Sequence, residues 1–191
     1  MKAFLLGALV ASTALATTLV KADLSWLTRN SDAVVVGTVG SVHSRYTADR
    51  MRIMTNSEIA VSQTLKGQVP ATVVVMQPGG EVGNVGQLVS GVARFSPGEE
   101  VVVFLEKRGE RYVVTGLGQG KYTLERGADG RRYAVPPKEL DAELVDPVTR
   151  QPVAAETAPV PFERFAQQVV TAAGQPAPPA ATGVKKLETR P

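Results

Sequence analysis

The fold is decided by the stretch Phe95–Leu124, which centres on the apolar run Val101-Val102-Val103-Phe104-Leu105. A charged segment, Glu106-Lys107-Arg108-Gly109-Glu110-Arg111, separates this run from a second one, Tyr112-Val113-Val114-Thr115-Gly116. Two β-branched runs around a polar turn with glycine predict a β-hairpin. Because the first run has no polar alternation, we expect its strand to be buried on both faces, at the centre of the core.

Further strands are predicted on both sides of this hairpin. Upstream, apolar or alternating patterns cover 32–42, 50–65 and 71–76, and a last strand is predicted at 131–135. Gly37 and Gly40 lie inside the first of these and indicate a bulge or bend. The pattern predicts a mainly β protein of about six or seven antiparallel strands. We expect a small closed OB-like barrel, with a β-sandwich as the alternative.

The C-terminal third has a different character. Prolines interrupt any regular element from Pro136 to Pro161. An apolar stripe of helical spacing follows between Phe162 and Val170. We therefore expect a β-barrel domain at 23–135, a proline-rich extended segment at 136–160 and an amphipathic helix at 161–174 packed on the barrel. Residues 175–191 are rich in proline and alanine, which predicts a disordered tail.

The first 22 residues have the pattern of a secretory signal peptide. A short positive start, Met1-Lys2, precedes an apolar run that is too short to cross a bilayer comfortably. Cleavage patterns with small residues occur at Ala14-Leu15-Ala16 and at Val20-Lys21-Ala22, so the mature chain is predicted to begin at Thr17 or Asp23. The protein is predicted to be exported to the periplasm or secreted, with no membrane insertion after cleavage.

Charge and cysteine content exclude several classes of function. The chain has 21 basic and 18 acidic residues, and two of the basic ones, Lys2 and Lys21, lie in the predicted signal segment. The remaining charges are interspersed, which argues against nucleic acid as a partner. The absence of cysteine excludes disulfides, thiol catalysis and thiolate metal sites.

No motif predicts a reaction, a metal site or a cofactor. His43 is the only histidine, and we expect it to be a surface residue near a strand end. The chain has no nucleophile elbow of the Gly-x-Ser-x-Gly type. Glu81, Glu99 and Glu100 could form a carboxylate cluster for a hard cation, but we expect them to be solvated charges in turns.

The most unusual local composition is a long glycine-rich loop, Gly79–Arg94. Long loops on β scaffolds commonly carry function, and glycine allows a ligand to approach the backbone closely. We predict that this loop binds the ligand or partner, and the candidate residues are Gly79, Gly80, Glu81, Val82, Val85, Leu88 and Arg94. The alternative is that its apolar residues fold back and plug one end of the barrel.

Several segments together resemble a group of uncharacterised exported bacterial β-barrel proteins. They are Ser31-Asp32-Ala33-Val34-Val35-Val36-Gly37-Thr38-Val39, Leu65-Lys66-Gly67, Pro78-Gly79-Gly80, Phe95 with Gly98-Glu99, and Phe104-Leu105. More distantly, the strand order is similar to the OB-like barrel of netrin modules and tissue inhibitors of metalloproteinases. Those inhibitors act through an N-terminal cysteine and disulfides, so the resemblance transfers no functional residue to this chain.

The sequence thus favours an exported, non-catalytic binding module for an unknown protein or envelope ligand. Two alternatives stay open: a hydrolase that uses polar residues around the glycine-rich loop, and a purely structural envelope protein. Convergent ionisable groups in a pocket would favour the enzyme, whereas a loop-lined surface without them would favour binding.

Overall fold

A computed structural model describes residues 17–138 and 140–174. Most of the predicted signal peptide and the predicted C-terminal tail lie outside the described residues. The elements in chain order are β1 Thr18–Val20, α1 Leu24–Asn30, β2 Ala33–Tyr46, β3 Ile53–Lys66, β4 Thr72–Pro78, β5 Gly80–Val82, β6 Val85–Gln87, β7 Glu100–Arg108, β8 Arg111–Val114, a 3-10 helix Leu117–Gly120, β9 Lys121–Arg126, β10 Arg132–Val135, β11 Glu143–Val145, β12 Val160–Pro161 and α2 Phe162–Ala173.

One large sheet has the strand order β12-β10-β9-β7-β2-β3-β4-β8. Its neighbours are antiparallel except for β4 and β8, which meet through one parallel pair, Val75 and Tyr112. The mainly β class and the C-terminal helix are confirmed, and so is the hairpin, since β7 pairs antiparallel with β8. The closed barrel is wrong: β8 has four residues and pairs mainly with β7, and its ladder with β4 consists of the single pair Val75 and Tyr112.

Strand β7 is buried on both faces, as its sequence predicts. Val101, Val103 and Leu105 belong to an apolar cluster formed by β2, β3, β4, β7 and β8, which we call the strand core. Val102 and Phe104 point to the opposite face and belong to a second cluster with α1 and α2, which we call the helix core. All five side chains are fully buried. The chain therefore needs a cover on each side of this strand.

The C-terminal helix covers the second face. Phe165 of α2 meets Phe104 edge-on with ring centroids 6.2 Å apart, and it lies 4.7 Å from the ring of Tyr122 on β9. Burial of Tyr122 raises the pKa of its hydroxyl. Phe162 and Val169 continue the same buried stripe along the helix. Neither helix in the described part of the chain is long and apolar enough to span a bilayer.

Helix α1 is fixed at both ends by side chains. The Asp23 carboxylate accepts a hydrogen bond from the Trp26 backbone N–H at 2.7 Å, which caps the N-terminus. At the C-terminus, Lys66 Nζ donates to the carbonyl oxygens of Thr28 and Ser31, both at 2.7 Å. A cation is favoured there by the helix dipole. Desolvation lowers the pKa of Lys66, and the nearby Asp32 carboxylate partly opposes that shift.

Pairing of β2 with β3 is interrupted at the glycines. The register shifts between Val36 and Gly37. It shifts again between Val39 and Val42, the interval that contains Gly40. At Gly37 a Cβ atom would collide with the backbone carbonyl of Ala60, so the two strands approach too closely for any side chain. These shifts let the long β2–β3 ribbon bend, which curls the sheet around the strand core.

Replacement of Val103 by aspartate tests the placement of the core. The side chain is fully buried in the strand core, so the variant would bury a carboxylate without a partner. That costs several kcal/mol against a total stability of about 5 to 15 kcal/mol. We expect Val103→Asp to lose its cooperative thermal transition in circular dichroism. A soluble variant with an unchanged Tm would show that the core lies elsewhere.

Candidate functional site

The inner face of the sheet changes from apolar to polar towards one end. Cross-strand register places side chains of β2, β3 and β4 opposite each other in three successive rows. The rows are Val39, Ile59 and Val73; then Val42, Ser57 and Val75; then Ser44, Thr55 and Gln77. The first row lies wholly within the strand core. The third consists of two hydroxyls and an amide, so the inner face ends in a hydrogen-bonding surface.

A cleft of about 550 Å³ lies over this polar end. Its floor includes Val42, Ser44, Thr55, Ser57 and Gln77 from the sheet, and its walls are residues 78–81, 86–89 and 92–95 of the glycine-rich loop. The loop includes a small hairpin, formed by β5 and β6, before it returns to the sheet. Cleft and loop are thus one structure, since the loop arches over the place where the inner face turns polar.

Gly80 is held directly over the two floor hydroxyls. Its φ angle is +127°, a conformation that side chains rarely adopt. A Cβ atom at this position would collide with Thr55 Oγ1 and Ser44 Oγ. Those two hydroxyls lie 2.8 Å apart, and Thr55 Oγ1 also donates to the Gly79 carbonyl at 2.6 Å. Glycine at position 80 therefore allows the loop backbone to pack on the third row.

Five of the seven residues predicted from the loop line the cleft: Gly79, Gly80, Glu81, Leu88 and Arg94. Val82 and Val85 do not; they pair with each other at the tip of the β5–β6 hairpin. Leu88 is 70% exposed and Val85 52% exposed, so neither plugs the strand core. The residues of this segment that enter the strand core are Ala93 and Phe95, at the end of the loop. Whether the seven residues bind a ligand stays a prediction.

Two buried polar side chains of the floor have no hydrogen-bond partner among the described residues. Gln77 is only 6% exposed and Ser57 only 1% exposed. By contrast, Ser44 and Thr55 bond to each other, and Gln87 Oε1 accepts from the Ile53 backbone N–H at 2.7 Å. Among the described side chains, the buried polar atom without a partner is Asn56 Oδ1, so the polar atoms of Gln77 and Ser57 can bond to water or to a ligand in the cleft.

The alternation of β3 and β4 contains a signal for this floor that the sequence analysis missed. Ser57 shares the parity of the buried residues Ile53 and Ile59 in β3, and Gln77 continues the buried alternation of Val73 and Val75. Polar side chains at inward positions of a strand mark a site where the core ends or a ligand binds. Our prediction instead followed the composition of the loop.

The end of the loop is fixed to the sheet by a lysine. Lys121 Nζ on β9 donates to the Arg94 backbone carbonyl at 2.6 Å and forms an ion pair with Glu99 at the same distance. The ammonium also lies 5.3 Å from the centre of the Phe95 ring. The Arg94 guanidinium itself points to the rim, where it pairs with Asp141 at 2.9 Å. Lys121 therefore fixes the part of the wall near Arg94 to strand β9.

Ionisable groups are sparse around the floor. The charged residues of the lining are Glu81 and Arg94, both exposed. His43 is exposed and points to the opposite face of β2 from its neighbours Val42 and Ser44, which line the cleft. Within the described ranges, no hydrogen bond joins the hydroxyl groups of Ser44, Thr55 or Ser57 to a histidine or carboxylate.

The predicted carboxylates are engaged in ion pairs instead of a cluster. Glu99 pairs with Lys121, and Glu100 pairs with Arg132 at 3.3 Å. Across residues 17–138 and 140–174, no group of three or more acidic or histidine side chains is placed to hold a metal ion.

The wall and the tip of the loop should respond differently to mutation. Replacing Val82 and Val85 together by serine should change the free energy of unfolding by less than about 1 kcal/mol, since neither residue enters a core. Phe95→Ala should cost about 3 to 5 kcal/mol, because this ring is buried in the strand core. Urea denaturation measures both. An equal loss in the two variants would mean that the hairpin tip is part of the core.

Comparison with known proteins finds no protein-family model that matches the chain, and no curated protein that matches it.

Proposed function

We propose that this protein is an exported, non-catalytic binding module whose ligand occupies the cleft over β2, β3 and β4. The observation that carries the proposal is the pair of polar side chains Gln77 and Ser57, which line the floor of the cleft and make no hydrogen bond to the described residues. Their polar atoms are not among the buried atoms that lack a partner, so they are available to water or to a ligand in the cleft. The cleft volume is within the range of about 300 to 1,000 Å³ that small-molecule sites occupy.

The chemistry of the lining indicates an uncharged ligand. A carboxamide such as that of Gln77 offers two N–H donors and a carbonyl acceptor, and the Ser57 hydroxyl can donate or accept. A ligand that satisfies both needs neutral groups that donate and accept, such as amides or hydroxyls. The walls add apolar surface from Val42, Val89 and Phe95. We therefore propose a neutral ligand with an amide or hydroxyl end and an apolar body.

Binding is favoured over hydrolysis by the absence of a supporting base. A serine nucleophile needs an adjacent base to activate its hydroxyl. In the described chain, Ser44 bonds to Thr55 and Ser57 has no partner. The export part of the proposal is supported by the signal-peptide pattern of the first residues.

Replacing Gln77 by methionine should abolish ligand binding without destabilising the free protein. Methionine has nearly the same volume, and the amide makes no hydrogen bond to the described residues, so we expect the Tm of the free variant to stay close to that of the wild type. Thermal shift should be measured with N-acetylated amino-acid amides, N-acetylhexosamines and, as charged compounds, phosphate and citrate. A neutral compound at one hundred times its Kd should raise the wild-type Tm by roughly 5 to 10 °C, and the variant should show no shift.

Gln63→Met is the matched control, because Gln63 lies on the neighbouring strand β3, outside the cleft lining, and is exposed. This variant should keep the full thermal shift. If Gln77→Met also keeps the shift, the ligand does not bind the floor. A shift produced by phosphate and lost in Arg94→Ala would place binding at the charged rim and contradict the neutral ligand.

A further inference from the structure

The first described residues form a strand that belongs to the folded domain. Strand β1 pairs in parallel with β11, from Thr18 opposite Glu143 to Val20 opposite Val145. Backbone hydrogen bonds of 2.8 Å continue at both ends of this pair, from the Glu143 N–H to the Thr17 carbonyl and from the Lys21 N–H to the Val145 carbonyl. The segment 17–22 therefore supplies the partner of β11.

Gln119 holds the same segment from the other side. Its Oε1 accepts a hydrogen bond from the Ala22 backbone N–H at 2.8 Å, and its Nε2 donates to the Val20 carbonyl at 3.0 Å. The Gln119 side chain is buried, being 8% exposed. Without residues 17–22, both ends of this amide would lose their partners, which is costly for a buried polar group.

The segment also packs behind the wall of the cleft. Leu19 lies against Gly91, where a Cβ atom would approach Leu19 Cδ1 to 2.7 Å. The Gly91 carbonyl accepts a 2.6 Å hydrogen bond from the Gly118 N–H. Gly91 stands directly before Val92, a wall residue of the cleft. Strand β1 thus contacts the loop whose inner side faces the ligand site.

We propose that the leader is removed between Ala16 and Thr17 and not between Ala22 and Asp23, so that the retained segment 17–22 supports the cleft wall. Water adds across the Ala16–Thr17 amide, which leaves a carboxylate on Ala16 and an α-amino group on Thr17. The Ala14-Leu15-Ala16 pattern supplies the small residues that such cleavage requires. Cleavage after Ala22 would delete β1 and leave β11 and Gln119 without their partners. The inference rests on the proposed export.

The full chain, expressed with its own leader in an exporting bacterium, tests the position. Mass spectrometry of the exported pool should find Thr17 as the first residue. A chain that begins at Asp23 would overturn this inference and leave the proposed export intact. A chain that keeps Met1 would overturn both.

Two substitutions in the leader region provide an independent readout. Ala16→Leu removes the small residue before the proposed bond and should cause the precursor to accumulate. Val20→Arg alters the other cleavage pattern, Val20-Lys21-Ala22, at an exposed side chain. This substitution should leave processing unchanged. The opposite result would place cleavage after Ala22.

A substitution at Gln119 tests whether β1 is present in the exported protein, because the side chain of this residue bonds to the segment 17–22. Gln119→Ala should lower its Tm by several degrees, because Val20 and Ala22 lose their hydrogen bonds to the side chain. Gln68→Ala, at an exposed position, is the control and should leave the Tm unchanged. An equal Tm for both variants would show that the segment does not contribute to the folded protein.

Discussion

The structure depends on the burial of β7 on both of its faces. Each fully buried Val, Leu or Phe side chain contributes about 1.5 to 3 kcal/mol, and five such residues follow one another from Val101 to Leu105. One face is covered by the neighbouring strands and the other by α1 and α2. The strand core also needs Ala93 and Phe95, which are the end of the glycine-rich loop. The loop must therefore arch back over the sheet, and the cleft lies beneath the arch.

The proposed function rests on where the apolar inner face stops. The residues of β2, β3 and β4 are in register. The change to polar side chains occurs at Ser57 in the second row of β3 and at Ser44 and Gln77 in the third row of β2 and β4. An apolar residue at position 57 or 77 would extend the strand core and fill the cleft. The chain instead keeps polar side chains there, which make no hydrogen bond to the described residues and line the cleft. The proposed binding role rests on these two side chains.

Local patterns in the sequence predicted much of the fold. The unbroken run of β7, the charged turn before β8 and the helical stripe of α2 are each visible within a few residues, and the structure has all three. Features that depend on distant residues were not predictable. Strands β1 and β11 have three residues each and lie more than 120 positions apart, so neither carries a periodic signal. The barrel was expected to close, but closure depends on the geometry between β4 and the short β8. For the site, composition identified the loop, whereas the floor residues looked like interruptions of strand patterns.

The most direct test of the cleft is the exchange of the Gln77 side-chain amide protons, measured by NMR with and without a stabilising ligand. We expect these protons to exchange rapidly with water in the free protein and to become protected when the ligand binds. The amide of Gln119, which already donates to the Val20 carbonyl, serves as an internal reference and should stay protected throughout. Protection of the Gln77 amide in the free protein, or no response to a ligand that raises the Tm, would contradict the account.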